Sequence, residues 1–110
     1  MSTDPLMHQA AAFIAEHACG MDLSLALLST QLKLYPSQLT RRFQASYGVS
    51  PIEYATEVRL QKARSLLIET NLTIDEIADL CGYQNGFYFS RIFERKMKLR
   101  PSYYRKNYRI

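Results

Sequence analysis

Part of this chain is written twice, and no other feature restricts its fold as much. Ser24, Leu25, Leu28, Leu32 and Leu34 match Thr73, Ile74, Ile77, Cys81 and Tyr83 at an offset of 49. One extra residue then moves the offset to 50, where Leu39, Thr40, Arg41, Phe43, Pro51 and Tyr54 match Phe89, Ser90, Arg91, Phe93, Pro101 and Tyr104. Self-similarity of this kind marks one supersecondary unit used more than once.

Both copies follow one plan. In the second, Thr73 caps a helix and Glu76, three residues on, completes a capping box. Ile74, Ile77, Ala78 and Cys81 form an apolar stripe at helical spacing, and Gly82 suits the left-handed turn that ends it. Asn85 caps a second helix with Phe89 and Phe93 on one face and Ser90, Arg91 and Glu94 on the other. In the first copy, Ser24 caps the stripe Leu25, Leu28 and Leu32, which ends near Lys33. Pro36 then opens a helix with Leu39 and Phe43 inward and Gln38, Arg41, Arg42 and Gln44 outward, and Gly48 ends it. Helix, short turn, helix is the form of a helix-turn-helix, whose second helix lies in the DNA major groove. Either copy alone is also compatible with an ordinary helical hairpin. A chance hairpin has no reason to recur with its outward Arg in register, so the repetition favours a pair of helix-turn-helix units.

Two further helical patterns frame the copies. Asp4 and Pro5 open a helix that closes at Gly20, with Ala10, Phe13, Ile14 and Ala18 on its apolar face. Between the copies, Ser50, Pro51 and Glu53 open the longest pattern, with Ile52, Ala55, Val58, Ala63, Leu66 and Leu67 as apolar positions. Its roughly 19 residues span about 28 Å at 1.5 Å each. That length suits two readers about 34 Å apart on one face of B-DNA.

Composition removes other function classes. No apolar run approaches the roughly 20 residues of a membrane helix, and the start MSTDP lacks the basic and apolar segments of a signal peptide. Cys19 and Cys81 lack CxxC spacing and read as reduced thiols, and with His8 and His17 they form no recognised metal-ligand pattern. With four glycines in all and no phosphate-cradling loop or nucleophile–base set, neither an enzyme nor a metal or other cofactor is expected.

The net charge is +4, and its distribution says more. Residues 1–30 carry Asp4, Glu16 and Asp22 with no Lys or Arg, while residues 31–64 carry six basic groups and two acidic ones. Residues 65–90 hold four acidic groups alone, and residues 91–110 hold eight basic groups against Glu94. Such blocks build a field that attracts a polyanion, and nucleic acid is the obvious one.

These residues carry a resemblance over nearly the whole chain. Leu39 with Arg41 and Phe43, the turn from Gly48 to Pro51, Tyr54, Arg59 with Ala63, Ile77-Ala78 and Gly82-Tyr83 all contribute. So do the run Tyr88-Phe89-Ser90-Arg91 before Phe93, and Pro101 before Tyr104-Arg105. The chain resembles the DNA-binding domain of AraC/XylS-family transcription regulators. The resemblance implies an all-α fold of about seven helices. Residues 1–49 would be a first helix-turn-helix subdomain with its reader near 36–47, residues 50–70 a linker helix, and residues 71–110 a second subdomain with its reader near 85–97. It implies control of transcription, as an activator by family likeness although the residues themselves do not separate activator from repressor, through two helices in successive major grooves of double-stranded promoter DNA. RNA polymerase would be a further partner, in the bacterial cytoplasm at the nucleoid, and an effector or dimerisation domain is absent from this chain, which is then either a stand-alone regulator or the C-terminal piece of a larger one.

Carried over residue by residue, the base-facing positions are Ser37, Thr40 and Arg41 in the first reader, and Gly86, Phe87, Ser90 and Arg91 in the second. Arg41 and Arg91 suit bidentate bonding to guanine O6 and N7, against the alternative of a salt bridge or plain solvation. Arg42, Arg59, Arg95, Lys96, Arg105 and Lys106 suit phosphates, which position without reading sequence, or are simply solvated. Phe43, Phe89, Phe93, Tyr54 and Tyr104 belong to the core. Three residues depart from the family pattern. Lys98 replaces a Gly and implies a different turn, Arg100 replaces a capping Ser or Thr, and Phe87 stands where small or polar residues are common, to meet a thymine methyl or tuck inward. The rival reading is a helical adaptor for a protein with an acidic surface. RNA binding follows at a distance for want of a stacking platform.

Overall fold

A computed structural model describes residues 4–20 and 23–109, so Asp22 of the acidic first block lies outside the described residues. Seven helices and no strands occur among them: α1 (Pro5–His17), α2 (Leu25–Leu32), α3 (Pro36–Tyr47), α4 (Pro51–Glu69), α5 (Ile74–Leu80), α6 (Gly86–Met97) and α7 (Pro101–Tyr108). None is long and apolar enough to cross a membrane.

Local chemistry explains most of the boundaries. Ser24 Oγ accepts from the Leu27 amide at 3.0 Å. At α5, Thr73 Oγ1 accepts from the Glu76 amide at 3.1 Å while Glu76 Oε1 accepts from the Thr73 amide at 2.9 Å, a complete capping box. Asn85 Oδ1 accepts from the Tyr88 amide at 2.8 Å to start α6. Helix α3 starts at Pro36, with the Tyr35 amide donating to Gln38 Oε1 at 3.0 Å.

The chain divides into two units, one ending at Val58 and the other beginning at Arg59. In the first, Met7, Ala10, Ala11, Ile14 and Ala18 of α1 and its end close with Leu28, Leu39, Phe43 and Ala55. In the second, Leu60, Ala63 and Leu67 close with Ile77, Ala78, Cys81, Phe89 and Phe93. Corresponding rings meet alike: Phe43 lies 5.4 Å from Tyr54 and Phe93 lies 5.5 Å from Tyr104, each pair at 78°. This edge-to-face geometry sets a positive ring edge on a negative ring face.

The boundary falls inside α4, which differs from a simple linker. Its second half supplies Leu60, Ala63 and Leu67 to α5 and α6 at an offset of 49 from Ala11, Ile14 and Ala18, all six buried. Its first half matches α7, with Pro51 and Pro101 both buried at an offset of 50. Thus α4 is the closing helix of one unit run into the opening helix of the next. That dual use explains two departures from the expected apolar positions. Ile52 is exposed, and Leu60, not among them, is buried.

The turns bring one correction. Lys98 takes the left-handed conformation of Gly48, φ 65° against 78°. Its amide donates to Glu94 O at 2.8 Å, as the Gly48 amide donates to Gln44 O at 2.8 Å. The turn expected to differ is therefore the same turn, made by a residue whose Cβ opposes it.

Candidate nucleic-acid interface

Helices α3 and α6 are both twelve residues long and amphipathic in the same register. Leu39 and Phe43, and likewise Phe89 and Phe93, are fully buried, which fixes the rotation of each helix about its axis. That rotation leaves Ser37 and Arg41 exposed with Thr40 half-buried, and Phe87 and Arg91 exposed with Ser90 half-buried. Both arginines therefore present their guanidinium groups to solvent on the face opposite the core. Phe87 points outward and is 75% exposed, with the Arg91 guanidinium carbon 5.9 Å from its ring centroid.

Gly86 is placed differently from the other expected base-facing residues. It is buried, its amide donates to Asp75 Oδ1 at 3.1 Å, and a Cβ there would stand 2.1 Å from that oxygen. A residue without a side chain, packed against its neighbour and with its amide engaged, cannot read a base edge. It is instead where the start of α6 meets α5, and the Asp75 carboxylate also suits the positive end of the α6 dipole.

The basic residues separate into two groups. Arg95, Lys96 and Lys106 are exposed on α6 and α7. Arg42 forms a fork on Asp4, Nε to Oδ2 at 2.9 Å and Nη2 to Oδ1 at 2.8 Å, tying the start of α1 to α3. This hydrogen bonding holds the Asp4 carboxyl below its ordinary range and raises Arg42. Arg105 donates from Nε to Leu67 O at 2.9 Å and from Nη2 to Thr70 O at 3.2 Å, and burial lowers its pKa. Arg109 joins it on Ile68 O at 3.3 Å, Thr70 O and Asn71 Oδ1. Both satisfy carbonyls at the end of α4 that have no intrahelical partner. Arg42 and Arg105, expected at phosphates, are thus committed within the protein, because each guanidinium meets a preformed set of oxygens. Arg59 lies with its guanidinium carbon 5.7 Å from the Tyr83 ring centroid. Arg100 provides no side-chain cap for α7 and instead sits 3.6 Å from Glu94 Oε2.

Sequence reasoning missed Asp75 and Arg109. Asp75 acts 11 residues from its position and Arg109 about 40 from its own, so no local spacing rule identifies either. Basic residues near the chain end were visible, but which of them meet helix carbonyls depends on the packing of α7.

Known proteins share this fold. A family model described as a helix-turn-helix domain matches residues 28–107. The xylose operon regulatory protein of Escherichia coli K12 is 36% identical over 104 residues, which is 94% of this chain and 26% of that protein. This chain therefore spans about a quarter of the length of that relative. The C-terminal domain of AraT, a response regulator from Geobacillus stearothermophilus, superposes with a TM-score of 0.94 at 34% identity, covering 100% of this chain and 91% of that one. The DNA-binding domain of AdpA, a global transcriptional factor solved in complex with a target DNA, gives 0.86 at 25% identity, covering 96% and 94%. On the family match and these likenesses, the chain belongs to the AraC family of transcription regulators, not enzymes, and is a helix-turn-helix DNA-binding domain of that type.

Proposed function

We propose that this chain binds double-stranded promoter DNA sequence-specifically and regulates transcription, with α3 and α6 entering successive major grooves. The observation that carries this reading is the matched pair of amphipathic helices. Each buries two large residues four apart and exposes one Arg at the position between them, Arg41 or Arg91. In the proposed complex these guanidinium groups bond guanine O6 and N7. Ser37, Thr40, Phe87 and Ser90 meet neighbouring base edges, while Arg95, Lys96 and Lys106 meet phosphates and set the register. Contact with RNA polymerase, activation and work at the bacterial nucleoid belong to the same proposal.

Selection of bound duplexes from a randomised pool tests it. The expected result is a bipartite motif with half-sites about one helical turn, roughly 10 base pairs, apart. Affinity for the selected site should also fall steeply with salt as counterions are released. A single half-site would overturn the two-reader arrangement. No enrichment, with salt-insensitive binding to an acidic protein surface instead, would overturn DNA recognition altogether.

A further inference from the structure

The two readers carry the same Arg but different neighbours. One turn before Arg91 stands Phe87, three-quarters exposed, whereas one turn before Arg41 stands Ser37. Residues four apart share a helix face, and the Arg91 guanidinium carbon lies 5.9 Å from the Phe87 ring centroid, within cation–π range. Both line an open surface recess of about 500 Å³ with Tyr88, Ile92 and Arg95. Phe87 is the second residue of α6, and the first turns of a recognition helix are those that approach base edges. A phenyl ring has no hydrogen-bonding group, so in a major groove the feature it complements is the C5-methyl of thymine.

We propose that Phe87 and Arg91 read DNA as one unit, the ring meeting a thymine methyl while the guanidinium beside it bonds a guanine in a neighbouring base pair. This rests on the DNA-reading proposal above and deepens it for α6. The ring excludes water from one side of the guanidinium and restricts its rotamers, so it both reads a methyl and holds Arg91 in place. The first reader, with Ser37 at the matching position, has no such methyl sensor.

The experiment uses the whole chain and a duplex selected from the randomised pool. Each thymine of the α6 half-site is replaced in turn by deoxyuridine, which lacks only the methyl. One replacement should weaken binding about fourfold, the fold-change for one buried carbon group. The others, and all those in the α3 half-site, should have little effect. Phe87→Ser, which copies Ser37, should abolish that sensitivity while leaving the thermal unfolding midpoint unchanged, since the ring is mostly exposed. Phe87→Leu should keep the methyl sensitivity but relax the preference for guanine at the neighbouring pair, because an aliphatic side chain cannot flank Arg91 as a ring does. A duplex with an Arg91-dependent guanine but no methyl-sensitive thymine would overturn this inference and leave the DNA-reading proposal standing. Failure to select any duplex would overturn both.

Discussion

The first helix-turn-helix and its copy keep the same core and the same outward Arg, yet each fixes its reader by different means. In the first unit, α3 is tied to α1 by the two-point bond from Arg42 to Asp4. In the second, Ile92 occupies the place of Arg42, so no such bond is possible, and Arg105 and Arg109 instead bind α7 to the carbonyl end of α4. The starts of the readers differ as well. Helix α3 begins on a proline, whereas α6 begins on a glycine close enough to α5 for its amide to reach Asp75. What recurs is therefore the spacing that orients the reader. The bonds that hold it are particular to each unit, which leaves each free to differ at the exposed residue before the Arg.

The strongest challenge to this equivalence is to empty both cores at the same point. Phe43→Ala and Phe93→Ala should each cost about 3–5 kcal/mol, the usual penalty for removing a fully buried ring. Urea unfolding followed by circular dichroism measures it. A much smaller loss for one of them would show that the two cores are not equivalent despite their matching ring geometry. The next largest effect concerns binding. Arg41→Ala and Arg91→Ala should each weaken the selected duplex by about 1–3 kcal/mol while barely changing affinity for a scrambled one. Equal losses on both duplexes, read by titration at fixed salt, would make the arginines phosphate contacts.

What was legible in the sequence follows the range of the interaction responsible. Caps act over three residues, so Ser24, the Thr73–Glu76 box and Asn85 could be identified from spacing alone. The buried pairs Leu39–Phe43 and Phe89–Phe93 and the exposed arginines followed from helical period. The burial of Gly86 was not legible because it depends on Asp75, which only the α5–α6 packing brings close. The internal partners of Arg42 and Arg105 were not legible because charge does not reveal whether a guanidinium meets carboxylate or carbonyl oxygens from a distant helix. Helix α4 looked like a connector because both its halves are helical. Only the burial of Leu60, Ala63 and Leu67, in register with α1, marks where one unit ends and the next begins.

The left-handed turns sharpen the comparison at smaller scale, because the two units exchange residues there. After the first short helix stands Lys33 and after its copy Gly82, whereas after the readers stand Gly48 and then Lys98, all four at positive φ. The left-handed conformation costs a residue with a Cβ about 1–2 kcal/mol, partly offset by glycine's extra entropy loss of about 0.5–1 kcal/mol. Lys33→Gly and Lys98→Gly should therefore each stabilise the chain by about 0.5–1 kcal/mol, and Gly48→Lys and Gly82→Lys should destabilise it by as much. If Lys98→Gly destabilises in urea titrations, the lysine makes a compensating interaction and the turns are not equivalent.

The smallest effect is acid sensitivity, because Glu76 is exposed and the Asp4–Arg42 pair is only half-buried, so both interactions are screened. Among the described residues, each unit has one carboxyl held below its ordinary value: Asp4 by its hydrogen bond to Arg42, and Glu76 by the Thr73 amide. A carboxyl with a folded pKa below its unfolded one stabilises the fold above the unfolded value, and that stability fades as pH falls toward the folded value. The ordinary values are 3.8 for Asp4 and 4.5 for Glu76, so the second unit should begin to lose its contribution first on acidification. Urea midpoints measured at successive pH values should then decline less between about pH 4.5 and 3.8 in Glu76→Gln, whereas Asp4→Asn should flatten only the part below. If Asp4→Asn leaves the part below pH 3.8 unchanged, the fork on Arg42 adds no stability through that carboxyl, and α1 is tied to α3 mainly by its buried apolar face.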